Sequence, residues 1–276
     1  MNDVDVRVEA HYGRGDMAAK IFAVLEEDGH DLDALTVEDL TPFDEMHVRG
    51  RQATAELAKL AGFSEGMHIL DVGCGLGGPT RFVAATHGCR VTGIDLTADF
   101  VQSAEALAAK VGLSGLVSYR QASALALPFE DASFDGAWSQ HVQMNIEDKP
   151  GLYREVARVL KPGARFAIYD ILAGPAGPPH YPCPWAPQPE ISFLIEPESW
   201  RGLLEASGFE IESWRDTSSE GLAWFAEMSA KAKEDPHAAT QRERVVGPEL
   251  RERIGNLRRS LEDQRVVLIE VVSRRA

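Results

Sequence analysis

The segment His68-Ile69-Leu70-Asp71-Val72-Gly73-Cys74-Gly75-Leu76-Gly77-Gly78-Pro79 narrows the possible folds of this chain more than any other stretch. It opens as a short apolar run, the pattern of a buried strand. Glycines then stand at 73, 75, 77 and 78, followed by a proline. Proline suits the first helical position because no helix partner waits for the amide hydrogen it lacks. Gly78 is therefore expected as the N-cap and Pro79 as the first helical residue. Glycine lets a backbone turn through left-handed conformations and lets another group come close. A strand, a glycine turn and a helix N-terminus together place a nucleotide-like ligand at the carboxyl end of a strand.

Gly73, Gly75 and Gly78 satisfy the dinucleotide spacing G-x-G-x-x-G, which by itself leaves an NAD-dependent dehydrogenase open. Asp71, two residues before the first glycine, argues against a diphosphate. A carboxylate there would repel a pyrophosphate held by the loop and would attract a cationic group. S-adenosylmethionine carries an ammonium and a sulfonium at that end and no phosphate. The run Asp71-Val72-Gly73-Cys74-Gly75-Leu76-Gly77 resembles the first motif of class I S-adenosylmethionine-dependent methyltransferases. The resemblance implies methyl transfer, with S-adenosylhomocysteine as product and Asp71, Gly73, Cys74 and Gly75 at the cofactor.

With 276 residues, the chain has room for one α/β domain and elaborations. Its formal net charge of -15 and sequence pI near 5.0 argue against nucleic acid, which needs a basic face. No apolar run approaches the ~18 residues of a membrane span. The start, Met1-Asn2-Asp3-Val4-Asp5, is acidic and lacks a signal-peptide core. Cys74, Cys89 and Cys183 show neither metal spacing nor an even disulfide set. These features lead to the expectation of a cytoplasmic protein without a metal, a monomer or homodimer acting on a small-molecule acceptor.

The remaining chain alternates strands and helices. Before the glycine turn, Asp16 is placed to cap one helix and Thr36 to open a capping box with Asp39. A further helix over Arg51–Ala61 stops at Gly62. His11-Tyr12-Gly13-Arg14-Gly15-Asp16 and Pro42-Phe43-Asp44-Glu45-Met46-His47 are polar-aromatic clusters of the kind a ligand site uses. Residues 1–65 are therefore expected as a helical lid, with the methyltransferase domain over 66–276. A second strand, Cys89–Ile94, ends at Asp95-Leu96, where an acid at a strand tip accepts from both ribose hydroxyls. After the third strand, Leu116–Arg120, Ser123-Ala124 stands where the family often carries an adenine-binding Asp. The fourth strand exits through Gln140, His141, Met144 and Asn145, and Asp148 caps the next helix, which Lys161-Pro162-Gly163 ends. Arg165–Asp170 reads as the fifth strand, and the Pro/Gly-rich stretch 174–196, with Tyr181, Trp185 and Phe193, as a pocket wall. A helix over 197–207 and a sixth strand, Phe209–Trp214, follow. Two helices are expected in an insertion at about 217–263, one through Leu222, Phe225 and Met228, the other through Leu250, Ile254, Leu257 and Leu261. Arg265–Ser273 closes the chain as an antiparallel last strand. The expected fold is thus a seven-stranded Rossmann-like doubly wound α/β sheet, with a helical lid before it and a helical cap between strands 6 and 7.

Within the class, Glu45-Met46-His47, Trp138-Ser139-Gln140 and Asp148-Lys149 resemble glycine, sarcosine and dimethylglycine N-methyltransferases. The expected acceptor is therefore the amine nitrogen of an amino acid or similar metabolite. The alternatives are an O- or C-methyltransferase of a natural product and a non-catalytic cofactor-binding protein. Some relatives that methylate hydroxyls use a His in the loop after the fourth strand as base. Met144-Asn145 occupies that place here, and His141 is the nearest imidazole. His141, His47 and Tyr12 are the candidate catalytic residues, and Asn145 and Trp185 the candidate substrate contacts. Asp71, Gly73, Cys74, Gly75, Asp95, Leu96, Ser123, Ala124 and Gln140 are the candidate cofactor contacts. The carboxylates of Asp16 and Asp44 are candidates to stabilise the migrating positive charge, and Arg49 and Arg51 to clamp a substrate carboxylate.

Overall fold

The computed structural model describes residues 3–13 and 15–276, so Met1, Asn2 and Arg14 lie outside the described residues. Four helices precede the sheet: α1 (Asp3–Tyr12), α2 (Met17–Glu27), α3 (Val37–Asp44) and α4 (Gly50–Ala61). The strands are β1 (His68–Val72), β2 (Arg90–Asp95), β3 (Val117–Gln121), β4 (Phe134–Gln140), β5 (Leu160–Ala173), β6 (Phe209–Asp216) and β7 (Val266–Arg275). They form one seven-stranded sheet in the order β3-β2-β1-β4-β5-β7-β6. Neighbours run parallel from β3 to β5, while β7 lies antiparallel to both β5 and β6. The helices α5 (Gly78–His87), α6 (Ala98–Lys110), α7 (Lys149–Val159) and α8 (Pro197–Ala206) link the strands. α9 (Ser218–Glu234), α10 (Pro236–Val246) and α11 (Glu249–Glu262) fill the interval between β6 and β7.

Alternation along the strands builds two apolar layers. Ile69 of β1 joins Leu57 of α4, Val83 of α5 and Ala104 of α6 on one face. Leu70 and Val72 join Val156 of α7 and Trp200 of α8 on the other. A sheet covered on both faces needs nearly continuous apolar strands, and the "HILDV" of β1 is one of them. Asp71 is its exception, a carboxylate 4% exposed at a strand tip. A third cluster joins Ile21 and Leu25 of α2, Phe43 of α3, Leu76, Phe100 of α6 and Val245 of α10. The strand order reverses beside β1, where β2 lies on one side and β4 on the other. Sheets of this kind open their ligand crevice at such a switch point.

Several local expectations hold. Asp16 accepts from Ala19 N, Thr36 and Asp39 form the capping box, Asp148 accepts from Gly151 N, and α4 stops at Gly62. Others shift. Gly77, with φ of 75°, is the N-cap of α5, so the helix starts one residue earlier and Pro79 is its second residue. Glycine is needed there on two counts: the left-handed φ, and a Cβ that would lie 2.5 Å from the Tyr119 hydroxyl. Lys161-Pro162-Gly163 follows the end of α7 at Val159, as expected, but already belongs to β5, which starts at Leu160 rather than Arg165. The β4–β5 register jumps from Phe134↔Leu160 to Gly136↔Arg165, and Pro162 sits in that interruption, where no ladder bond is lost. The insertion holds three helices rather than two. α10, "PHAATQRERVV", has too weak an apolar stripe to be read from periodicity.

A buried ion pair ties α3 to the sheet. Arg81 of α5 and Asp44 are both fully enclosed, with Arg81 Nη2 on Asp44 Oδ2 and Nη1 on Leu76 O at 2.8 Å. Removing one partner of such a pair strands the other charge, at a cost of about 3–5 kcal/mol. R81M is therefore expected to lower stability by about that amount, and the double variant D44N/R81M to recover part of it. Chemical denaturation of the three proteins checks this; equal loss in single and double variants would refute it.

Candidate active site

The carboxyl ends of β1, β2 and β4 open into a cavity of about 430 Å³. That volume falls in the ~300–1,000 Å³ range of small-molecule sites. Every candidate catalytic, cofactor and substrate residue from Tyr12 to Trp185 lines it. Asp44 lines it as well. Asp16 is spent on capping α2, and neither it nor Arg49 nor Arg51 reaches the wall. Arg49 pairs with Glu56, and Arg51 Nε with Glu45 Oε1 at 3.2 Å. The expected clamp for a substrate carboxylate is therefore absent from the cavity.

The glycine turn forms the floor. Gly73 has φ of 75°, and a Cβ there would meet Val142 at 2.3 Å. Gly75 has open space where its Cβ would be. At the tip of β2, Asp95 accepts from Gly75 N through Oδ2 and from Thr97 N through Oδ1, both at 2.9 Å. Each oxygen keeps a lone-pair direction for a ligand hydroxyl. Ser123 Oγ accepts from Leu125 N at 3.2 Å, and Leu96 O takes Gln121 Nε2 at 3.0 Å. Gln140 Oε1 is buried without a partner. Burial pushes the Asp71 carboxyl up to about 7, against a hydrogen bond from Thr80 Oγ1 at 2.6 Å.

Two histidines stand beyond the floor. His47 Nε2 lies 3.1 Å from Gly50 O and 3.1 Å from Thr54 Oγ1. A carbonyl only accepts, so Nε2 carries the proton and Nδ1 the lone pair. Burial pushes His47 down to about 3. His141 follows β4 with φ of 55°, a conformation costing a non-glycine residue about 1–3 kcal/mol. Its ring packs 4.9 Å from Tyr169 and 5.8 Å from His47 between centroids, and its Nε2 is buried without a partner. Burial, and then His47, hold it well below the usual imidazole range. Both imidazoles are neutral near pH 7.

Two candidate substrate residues are mostly committed within the protein. Asn145 accepts from Tyr12 OH at 2.9 Å and donates to Trp185 O at 2.8 Å and Ile191 O at 2.9 Å. It thereby stitches α1 to the 174–196 loop. Trp185 donates through Nε1 to Ser192 Oγ, leaving its ring to wall the cavity. The opposite wall was not read as a site from sequence: Val4 and Val8 of α1, Phe225 of α9, Arg242 of α10, and Ile254 and Leu257 of α11. The apolar spacing of the insertion helices was visible, but nothing in it told which neighbour they cover.

A methyltransferase domain model matches residues 70–168. The O-methyltransferase resE of Aspergillus sclerotiorum is 36% identical over 184 residues, covering 65% of this chain and 68% of that protein. Class I S-adenosylmethionine-dependent methyltransferases are the family to which this chain belongs. Botryococcene C-methyltransferase of Botryococcus braunii is 41% identical over 116 residues, 42% of this chain and 31% of that protein. The fold extends over the whole length of geranyl diphosphate C-methyltransferase from Streptomyces coelicolor, with TM-score 0.72, 16% identity and coverage of 100% and 99%. These relatives are named as O- and C-methyltransferases, not as methyltransferases of amino-acid amines. Among the described residues no helix is long and apolar enough to cross a membrane.

The cofactor of this methyltransferase is S-adenosylmethionine, and the floor fits it. Gly75 leaves room for close approach, Asp95 offers two acceptors, and Asp71 is a dehydrated carboxylate that a cationic ligand relieves. The sign follows. The raised folded pKa of Asp71 means that the cofactor-free fold loses stability as pH rises from about 4 through about 7. A bound cation favours the carboxylate, so binding below about 7 expels a proton. Cofactor affinity is expected to rise with pH to about 7 and then level, by at most ~10-fold per unit. D71N is expected to lose most of that dependence and roughly 10-fold in affinity, yet to melt higher than the native protein at pH 8 without cofactor. Calorimetry and thermal melts across pH 5.5–8 check both signs; a pH-independent native affinity would refute the assignment.

Proposed function

We propose that this methyltransferase acts on a hydroxyl or enol oxygen of a largely apolar small molecule, with His141 as the base. The observation that carries it is the buried, unpartnered Nε2 of a neutral His141 on the cavity wall. An amine can attack without a base, whereas a hydroxyl generally needs one. Arg49 and Arg51, the expected clamp for an amino-acid carboxylate, are spent elsewhere, and the arginines on the lining are Arg242 and Arg253 of the insertion. Val8, Phe225, Ile254 and Leu257 offer an acceptor apolar surface instead. The name of the resE relative supports an oxygen acceptor, and that of the botryococcene relative supports C-methylation, the second reading.

When bound, the cofactor supplies an electrophilic methyl group on a sulfonium. The protein's part is to bring the acceptor oxygen in line and to take its proton. Alignment of this kind supplies much of the rate. His141, held neutral by burial, is ready to accept that proton at a ring nitrogen. His47, fixed by Gly50 O and Thr54, stands edge-on to it. Residues 1–65 act as a lid and the insertion at about 217–263 as a cap, since α1 and α9–α11 supply the apolar wall. A second reading, C-methylation, rests on the aromatic rings of Tyr12, Trp185 and Trp224 at the same cavity, which can stabilise a cation formed on the acceptor.

H141A is expected to lower kcat by about 100-fold or more while leaving cofactor affinity within about threefold. Methyl-labelled cofactor, a panel of phenols, enols, olefins and amino acids, and mass spectrometry with product NMR provide the readout. An undiminished rate in H141A, or turnover of amines alone, would sink the O-methylation reading. A methyl on carbon would select the second.

A further inference from the structure

We propose that Arg242, carried by the insertion between β6 and β7, binds the α-carboxylate of the cofactor and so makes that insertion part of the cofactor site. Arg242 lines the cavity. Its guanidinium is anchored from behind: Nε donates to Pro42 O at 2.8 Å and Nη2 to Glu45 O at 3.1 Å. Both acceptors are neutral carbonyls flanking Asp44. Among the described residues no carboxylate comes within ion-pair distance of Arg242, and Nη1 has no hydrogen bond. The nearby acids are committed elsewhere. Asp44 pairs with Arg81, and Glu45 pairs with Arg51 and accepts from Thr54 Oγ1 at 2.7 Å. Burial lowers the Arg242 pKa, and Asp44 and Glu45 offset this only in part. A largely dehydrated cation without a carboxylate partner is a ready site for an anion.

The position selects which anion. A Cβ on Gly78 would lie 2.6 Å from the Asp44 carboxylate, which puts Asp44 against the first turn of α5. Asp71 accepts from Thr80 on the same turn. Asp71, Asp44 and Arg242 thus gather charges of both signs around the start of α5, directly after the glycine turn. An amino-acid zwitterion asks for this pattern: carboxylates for its ammonium and a guanidinium for its carboxylate. The helix N-terminus adds favourable potential for the anion. An anionic group on the acceptor is the other source of the same chemistry, and the experiment separates the two.

The test is calorimetry of S-adenosylmethionine and its decarboxylated analogue with the native protein, R242M and R242K. The native protein is expected to prefer the intact cofactor by about 10-fold or more. R242M is expected to lose about that factor for the intact cofactor and less than about threefold for the analogue, with R242K between. Equal losses for both compounds would mean that Arg242 only holds the insertion in place, and would overturn the proposal. So would unchanged affinity in R242M, which would leave the acceptor as the anion's source. Circular dichroism confirms folding, and R242K carries the test alone if R242M does not fold. The readout is binding, so it is independent of whether the acceptor atom is oxygen or carbon.

Discussion

The glycine turn between β1 and α5 is held by sterics from three directions. Side chains at Gly73, Gly77 and Gly78 would strike Val142, Tyr119 and Asp44 respectively. Val142 belongs to the exit of β4, Tyr119 to β3 and Asp44 to the helices before the sheet. One turn is thus the meeting point of the two halves of the sheet and the N-terminal region. Its tightness is what lets the backbone stand at the floor of a cavity rather than behind a wall of side chains. Arg81 fixes the same junction from beneath, reaching Leu76 O and Asp44 at once.

That junction concentrates dehydrated charge. Asp71, Asp95 and Asp44 are all pushed above the ordinary carboxylate range by burial. A fold gains nothing from three acids near one another, and each costs stability at neutral pH. The arrangement makes sense as a site whose ligand supplies the missing charge and hydrogen bonds. The left-handed backbone of His141 follows the same logic. Strain at β4's exit is borne by a residue whose ring nitrogen is left without a protein partner.

The floor of the site was legible because its constraints are local. A glycine turn, a strand-tip acid and a helix cap each leave a mark within a few residues, and Asp71 alone separated a sulfonium ligand from a diphosphate. The β4 exit was also readable, since Gln140, His141 and Asn145 follow the strand directly. What the sequence did not show was competition for the same side chains. Asn145 is placed at the site, yet its amide is spent on Trp185 O and Ile191 O. Arg49 and Arg51 have the right chemistry for a clamp and the wrong neighbours. The shift from Gly78 to Gly77 as N-cap falls within a pair of adjacent glycines, between which no local pattern chooses.

The acceptor end was the least readable part, for a physical reason. Its apolar wall is assembled from α1 and, more than 200 residues later, α9 and α11, and any one of these helices shows only an ordinary amphipathic face. Amino-acid against natural-product acceptors therefore could not be decided from the loop motifs, which the cofactor alone constrains. The proposed preference for an apolar acceptor rests on the insertion instead. Phe225, Ile254 and Leu257 line the cavity with hydrocarbon. The insertion also brings Arg242 and Arg253 to the lining, and Arg242 is anchored on α3 and its following turn, beside the start of α5. On the proposed reading, a chain that varied this insertion would change its acceptor while keeping the same glycine floor, so long as Arg242, in the second half of α10, stayed in reach of α5.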